Sequence, residues 1–185
     1  FTEETVADYV SMLKIFTDIT GNPEAYDAYG TQLQNRVDKA IADARERAEQ
    51  AGEPVSVLFI RAGSGDSSTK AKTAKDHFVG IMLNELGAVN IADEAGALSE
   101  RLSLEHILIQ QPDVILIVPQ GDEDAAKAYM NSVLQQSGWR DLTAVKNHRV
   151  TYLPKSLFHY KPNEHWDEAY TYLTDLLYPE KDSQA

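Results

Sequence analysis

Hydrophobic residues recur at helical spacing through the first fifty positions of the chain. The first stretch places apolar residues three or four positions apart, which predicts one buried helix face at Val6, Tyr9, Val10, Leu13 and Phe16. A longer stretch over residues 24–50 repeats the spacing at Tyr29, Leu33, Val37, Ile41, Ala44 and Ala48. A helix of that length spans about 40 Å, so we expect it to connect two lobes or to pair with another chain.

From residue 53 onwards, short apolar runs alternate with amphipathic segments. The apolar runs predict strands at 55–60, near 86–91, at 114–118 and at 150–153. The segments between them predict helices at 74–86, after a capping Ser103, at 122–136 and at 164–177. Wholly apolar strands are expected where helices cover both faces of a parallel sheet. We therefore predict the α/β class: a three-layer, Rossmann-like lobe with a mostly parallel sheet over residues 53–185, preceded by a helical segment over residues 1–52.

The composition narrows the choice of function. The chain has 185 residues, with 17 basic and 29 acidic side chains and a formal charge of −12. This acidic balance argues against nucleic acid binding, which requires a basic surface, and we expect no nucleic acid partner. Because there is no cysteine, disulfide scaffolds, thiolate metal sites and cysteine nucleophiles are excluded. The longest aliphatic run, 114–118, is far too short for a bilayer-spanning helix.

Cationic and aromatic residues gather in the loops that follow the predicted strands. In a parallel α/β sheet these loops meet at one edge, and ligands bind there. Arg61 and Lys70 follow the first strand, while Phe158, His159 and Tyr160 follow the last. Since cations supply charge and rings supply stacking area, we expect these five residues to contact an anionic, partly planar ligand.

Catalytic and metal-binding patterns are sparse. The glycine-rich loop after Arg61 has neither a third glycine at the right spacing nor the Gly-Lys-Ser/Thr sequence of a phosphate-binding loop. None of the five histidines belongs to a His-x-x-x-His helical pair for zinc, and no Gly-x-Ser-x-Gly nucleophile turn occurs. We predict no catalytic residue and no resident metal site.

Several short motifs together resemble one protein family. They are LSLEHIL at 102–108, QPDVILI at 111–117, WRDLTAVKNHRV at 139–150, LGAVNI at 86–91 and LYPE at 177–180. In kind and order they resemble the C-terminal lobe of class III, helical-backbone, periplasmic substrate-binding proteins of iron-siderophore, haem and cobalamin ABC importers. The resemblance covers most of residues 55–180.

The resemblance implies a binding protein and not an enzyme. Residues 24–50 would form the backbone helix between two lobes, with the N-terminal lobe, expected before residue 1, absent from this chain. The cargo would be an iron-siderophore complex, haem or cobalamin, bound without a resident cofactor and handed to the permease subunits. Such proteins are exported, either to a periplasm or as membrane-anchored lipoproteins.

The resemblance also suggests roles for single residues. Glu105 lies in the first turn of a predicted helix, where a carboxylate stabilises the helix dipole. In the family, a glutamate at this place docks onto an arginine of the permease. Arg61 resembles a basic cargo contact of siderophore-binding members. His159 and Tyr160 lie in the loop in which haem-binding members can offer an axial ligand.

Two other functions stay open on the sequence alone. A chelatase-type enzyme would use His159 as a base beside a carboxylate such as Glu164 to remove pyrrole protons. An interaction domain would pair its long helix with another chain through Tyr29, Leu33 and Val37. The sequence does not choose among siderophore, haem and cobalamin.

Overall fold

Five strands form the central sheet in the part of the protein that the structure describes. The structure is a computed structural model that describes residues 4–94 and 104–179. The strands are β1 (Ser56–Ala62), β2 (Lys70–Ala71), β3 (Val89–Asn90), β4 (Val114–Pro119) and β5 (Val150–Tyr152). β1, β4 and β5 lie side by side and run parallel. The other side of β1 pairs with β3 in parallel at its beginning and with β2 in antiparallel fashion at its end.

Helices precede, connect and follow these strands. They are α1 (Val6–Thr20), α2 (Pro23–Tyr26), α3 (Gln32–Ala51), α4 (Phe78–Glu85), α5 (Ile91–Glu94), α6 (Leu104–Gln110), α7 (Glu123–Leu134), α8 (Thr143–Lys146), α9 (Lys155–Phe158) and α10 (Trp166–Leu177). A π-helical turn, Asp27–Thr31, joins α2 to α3, so one helix runs from residue 23 to residue 51. Short 3₁₀ turns lie at Asp66–Ser68, Trp139–Asp141 and Asn163–His165.

The sheet separates two hydrophobic cores. Val57 and Phe59 of β1 face a core that also contains side chains of α1, α3, α4 and α10. Leu58 and Ile60 face the opposite core, with side chains of α6 and α7. Every residue of β4 is buried. These layers confirm the predicted α/β class with a mostly parallel sheet that helices cover on both faces.

The long helix belongs to the core of the protein, which corrects the interaction-domain hypothesis. Leu33 and Val37 of α3 are each 1 % exposed, because they pack in the core that α10 also lines. Pairing with another chain through these two residues is therefore wrong. Tyr29 is 55 % exposed.

On α1 the predicted buried face ends early, because Thr17 takes the buried position next to Phe16, which is 51 % exposed.

The helix predicted at 74–86 begins later, at Phe78. The Thr73 hydroxyl donates to the Asp76 carboxylate at 2.7 Å, and the Thr73 carbonyl accepts the N–H groups of Asp76 and His77. This turn delays the helix by four residues.

The predicted cap Ser103 lies outside the described residues, and the domain boundary after residue 52 stays a prediction. No helix within residues 4–94 and 104–179 is both long and apolar enough to cross a membrane.

Candidate functional site

A small cationic pocket lies at the carboxyl end of β1. Its volume is about 280 Å³, and it is lined by Arg61, Ser67, Ser68, Lys70, Lys72 and Gln120. Arg61 is near the end of β1 and Gln120 directly follows β4, so the ends of two neighbouring parallel strands build it. Ligands of α/β sheets bind at this edge. The structure therefore brings together the predicted cargo contacts Arg61 and Lys70.

Thr69 fixes the loop that carries the two pocket serines. Its hydroxyl accepts the Gly63 N–H at 3.2 Å and donates to the Gly65 carbonyl at 2.9 Å, and its side chain is buried. Gly63 is required here because a Cβ atom at this position would lie 2.2 Å from the Ser68 Oγ. The loop therefore holds the hydroxyls of Ser67 and Ser68 beside the cations.

His159 and Tyr160 form the aromatic part of the site. Their ring centroids lie 4.4 Å apart in an edge-to-face arrangement, and Tyr160 is 72 % exposed. Burial, and then the charges of Lys155 and Arg61, lower the pKa of His159, so its ring is neutral at pH 7. Its buried Nδ1 has no hydrogen-bond partner. A neutral imidazole beside an exposed phenol offers nitrogen and oxygen ligands to the metal of a bound cargo.

Two further lysines reach this edge of the sheet with partners of their own. The Lys155 Nζ donates to the carbonyl of Gly121 at 2.8 Å. The Lys161 Nζ lies 2.5 Å from a carboxylate oxygen of Glu4 and 4.8 Å from the centre of the Phe78 ring. Both therefore contribute positive charge from fixed positions.

His77 also lies in this region, although the sequence did not predict it as a site residue. Its ring stacks on Phe78 at 4.7 Å and meets the edge of Phe59 at 5.1 Å between centroids. Burial, followed by the charge of Lys161, lowers the pKa of His77 to about 3. Its Nδ1 accepts the Val79 N–H at 3.3 Å, so the neutral ring carries its proton on Nε2. The signal in the sequence is its position directly before an apolar helical run, which is typical of a cap.

Phe158 does not reach the site, which corrects its prediction as a cargo contact. Its side chain is fully buried in the core, with its ring centroid 5.6 Å from that of Tyr172. Phe158 ends the single helical turn of α9 and points inward. The next two residues, His159 and Tyr160, turn away from the core.

Glu105 lies in the first turn of α6 with its side chain exposed. Ile107 of the same helix is buried and anchors α6 against the sheet. α6 leads directly into β4, and a helix in such a connection runs back along the sheet, which puts its first turn towards the carboxyl edge. A role of Glu105 in docking stays a prediction.

Glu164, the carboxylate that the chelatase hypothesis places beside His159, contacts His165 instead. Glu164 lies 3.6 Å from the Nε2 of His165, whose Nδ1 lies 2.8 Å from Glu168. The orphaned Nδ1 of His159 is therefore without the carboxylate that would make it a base. In the part of the chain that the structure describes, no three His, Asp or Glu side chains are grouped so as to hold a metal ion.

A larger groove, of about 750 Å³, lies at the opposite edge of the sheet. It is next to Val55 and Arg149, which directly precede β1 and β5. The Arg149 guanidinium donates to the carbonyls of Leu176 and Leu177 at the end of α10. Arg47 likewise donates to the carbonyl of the residue that follows this helix. These arginines hold the helix end in place, so the groove is not the better candidate despite its size.

Comparison with protein families identifies this chain. The model of the family described as periplasmic binding protein matches residues 1–157. The chain belongs to this family. The resemblance drawn from the sequence motifs is thereby confirmed at the level of the family, whose members are binding proteins for transport.

Curated relatives in this family match part of the chain. The high-affinity heme uptake system protein IsdE of Staphylococcus aureus is 30 % identical over 105 residues. The match covers 56 % of this chain and 36 % of IsdE. The chain thus spans about a third of the length of the curated relatives that it matches.

Solved structures of periplasmic binding proteins share the fold over nearly the whole chain. The crystal structure of S. aureus IsdE complexed with heme has a TM-score of 0.77 at 22 % identity and covers 94 % of this chain and 65 % of its own. The periplasmic heme-binding protein RhuT from Roseiflexus sp. RS-1 has a TM-score of 0.71 at 24 % identity, and the match covers 95 % of this chain and 64 % of RhuT. A periplasmic binding protein from Veillonella parvula has a TM-score of 0.72 at 24 % identity, and the match covers 94 % of this chain and 51 % of that protein.

Proposed function

We propose that this protein is the solute-binding component of an ABC importer and that it captures an iron complex, either haem or a ferric siderophore. The observation that carries the proposal is that the cationic pocket and the His159–Tyr160 pair share the carboxyl edge of the sheet. Arg61 links them, because it lines the pocket and its charge also lowers the pKa of His159.

Haem suits this edge because it combines a flat ring, an iron ion and carboxylates. The exposed ring of Tyr160 offers stacking area, and the neutral ring of His159 offers a ligand to iron. The names of two similar proteins, the heme uptake protein IsdE and the heme-binding protein RhuT, support this cargo. A ferric siderophore would use the cations alone. Cobalamin fits less well, because amides replace the ring carboxylates and a phosphodiester is its only anionic group.

Capture would occur between this lobe and a second lobe that the long helix connects to it. The helix is continuous from residue 23 to residue 51, and Leu33 and Val37 pack it into the core that α10 also lines. A packed helix resists the backbone rotation that loop hinges absorb, so the cleft would close only slightly. We propose residues 1–52 as this connecting segment and residues 53–185 as the C-terminal lobe.

Delivery would use the exposed Glu105 as the docking charge for a permease arginine. The protein would act by binding alone, without changing its cargo and without catalytic residues. It would work outside the cytoplasmic membrane, either in a periplasm or on a lipid anchor.

A titration with haem, several ferric siderophores and cobalamin tests this function. The two tryptophans of the chain, Trp139 and Trp166, report binding by fluorescence quenching, and haem also reports by its absorption band. We expect saturable binding of one iron complex, weakened about tenfold or more in Arg61→Gln and in His159→Ala. Lys39→Gln, which removes a charge from the exposed side of α3, should bind as the wild type does. No saturable binding across the panel would contradict the proposal.

A further inference from the structure

The loop formed by residues 158–162, here called the aromatic loop, carries His159 and Tyr160 between two buried residues. Phe158 before the pair and Pro162 after it are buried, whereas Tyr160 is exposed. Within residues 4–94 and 104–179, the backbone N–H groups of Tyr160 and Lys161 have no hydrogen-bond acceptor. A loop with few backbone hydrogen bonds keeps its shape mainly through side-chain contacts. The position of the pair therefore depends on how the side chains around it are held.

Lys161 ties the aromatic loop to the beginning of α1. Its Nζ lies 2.5 Å from a carboxylate oxygen of Glu4, a residue 157 positions away in the chain. The same Nζ lies 4.8 Å from the centre of the Phe78 ring, a distance at which the face of an aromatic ring attracts a cation. The ammonium group is thus held between a carboxylate and an aromatic ring.

Both partners of Lys161 are themselves held in place. The Glu4 N–H donates to the Asp8 carboxylate at 3.0 Å, beside the capping box at the start of α1. Hydrogen bonds at this cap, and then the charge of Lys161, lower the pKa of Asp8. The Phe78 ring is buried and meets the ring of Trp166 edge to face at 5.5 Å between centroids. Because the partners are ordered, this ion pair costs less side-chain entropy than one between two mobile surface residues.

Lys161 differs from the cations of the pocket at the end of β1. Arg61 and Lys70 line that pocket, and Lys161 does not. The side chain of Lys161 is only 28 % exposed, and its charge is already paired with a carboxylate. A lysine in this situation attracts an anionic cargo weakly, but it fixes the backbone to which it belongs.

We propose that Lys161 is a positioning residue for the His159–Tyr160 pair. Its contacts with Glu4 and Phe78, together called the Lys161 clamp, hold the aromatic loop at one place relative to α1. This role rests on the proposed function, because it concerns the residues that would meet the iron and the ring of haem. A metal ligand must lie at a defined distance and direction from the metal, and neighbouring residues have to hold it there.

Backbone ¹⁵N order parameters test the clamp without any cargo. Glu4→Gln removes the partner charge at a residue that is 54 % exposed, so the fold should not depend on it. Lys161→Met keeps an apolar stem over the Phe78 ring without the charge. In both variants the order parameters of His159 and Tyr160 should fall from about 0.85 to about 0.6 or less. Lys161→Arg should keep the order, since a guanidinium also pairs with a carboxylate and stacks on a ring.

Lys14 offers a matched control away from the aromatic loop. Its Nζ also lies 2.5 Å from a carboxylate oxygen, that of Asp18, and 5.4 Å from the centre of the Tyr26 ring. These partners belong to α1 and α2. Lys14→Met and Asp18→Asn should therefore leave both the order of the aromatic loop and the affinity for haem unchanged. The same loss of order in these controls would overturn the clamp.

The affinity for haem distinguishes a positioning residue from a cargo contact, because Glu4→Gln has opposite effects in the two cases. The substitution frees the charge of Lys161. If that charge bound the carboxylates of haem, the affinity would rise. If Lys161 positions the loop, the affinity should fall about fivefold or more. The absorption band of bound haem should also shift at saturation, since it reports the ligands of the iron, and Lys161→Arg should retain the band of the wild type.

The two readouts separate the clamp from the cargo that it serves. Loss of loop order together with weaker haem binding in Glu4→Gln supports the positioning role. Loss of loop order in a protein that binds no haem at all supports the clamp and contradicts haem as the cargo. Unchanged loop order in Glu4→Gln, or haem binding that is as strong as in the wild type or stronger, overturns the positioning role of Lys161.

Discussion

The imidazole of His77 caps helix α4 by accepting the backbone N–H of Val79 at 3.3 Å. The bond uses the lone pair of Nδ1, which a protonated ring does not have. Burial lowers the pKa of His77 to about 3, and the charges of Lys161 and Arg61 act in the same direction. The cap and its surroundings therefore both favour the neutral ring.

The free energy of unfolding should fall on acidification, with His77 responsible for part of the loss. The pKa of His77 is about 3 in the folded protein and 6.5 in the unfolded chain, so the unfolded chain takes up the proton first. The contribution of His77 to the free energy of unfolding is complete above about pH 6.5. It is lost as the pH falls from about 6.5 to 3, by up to about 1.4 kcal/mol per pH unit. His77→Asn keeps an acceptor for the cap without a titrating ring. Urea titrations should show a smaller loss in this variant between pH 7 and 4.

The comparison uses the change in the free energy of unfolding between pH 7 and 4, and not its value at pH 7. Asparagine lacks the ring contacts with Phe59 and Phe78, so the variant is expected to be less stable at every pH. The hydrogen-bonded carboxylates Asp8 and Asp76 have a lowered pKa, and they lose their contributions at lower pH in both proteins. Equal losses for wild type and variant would contradict the role assigned to His77.

Leu33 should be essential for stability, because it packs the long helix into the core that α10 also lines. Leu33→Ala is expected to reduce the free energy of unfolding by about 2–5 kcal/mol through lost burial and the cavity it leaves. Ile19→Ala is a matched control, since Ile19 is 76 % exposed and Leu33 is 1 % exposed. The control should change stability by about 0.5 kcal/mol or less. If Leu33→Ala left stability unchanged and dissociated a dimer, the helix would belong to an interface instead.

The loop between β1 and β2 should tolerate alanine at one glycine and not at the other. A Cβ atom at Gly63 would lie 2.2 Å from the Ser68 Oγ, whereas one at Gly65 would have no atom within 4 Å. Gly63→Ala should therefore displace Ser68 from the pocket and weaken haem binding several-fold, at a cost of about 1–3 kcal/mol in stability. Gly65→Ala should bind haem as the wild type does. Equal affinities of the two variants would show that the loop does not shape the site.

Removal of the Glu105 charge should separate docking from capture. Glu105→Gln is expected to bind haem with unchanged affinity and to lose haem-dependent stimulation of the importer ATPase. Asp124→Asn is the matched control, because Asp124 is also an exposed acid in the first turn of a helix. Each change removes a similar interaction with the helix dipole, about 0.3–1 kcal/mol. Loss of haem affinity in Glu105→Gln would assign this residue to the cargo site and not to docking.

Much of the fold could be predicted from the sequence, because strong local patterns determine it. The wholly apolar run at 114–118 predicted a strand covered on both faces, and β4 is such a strand. The spacing of Leu33 and Val37 predicted the buried face of the long helix. These features depend only on the period of hydrophobic residues.

The geometry of the site could be predicted only in part, because it depends on contacts distant in sequence. The position of the loops predicted that Arg61 and Lys70 lie close together. Their direct opposition depends on β2, and a strand of two residues has no hydrophobic periodicity that the sequence could reveal. Phe158 and His159 are adjacent aromatic residues, and only the packing of the core decides that the first is buried. The burial and the lowered pKa of His77 could not be predicted, because Phe59, Lys161 and Arg61 reach its ring from distant parts of the chain.

Hydrogen exchange measured with and without haem tests most directly where the cargo binds. Binding at the carboxyl edge should slow exchange at residues 61–72 and 153–163, and should leave the amino edge around Arg47 and Arg149 unchanged. Arg61→Gln should reduce the protection in both loops at the same haem concentration. Protection confined to the larger groove at the amino edge, with the two loops unchanged, would contradict this account.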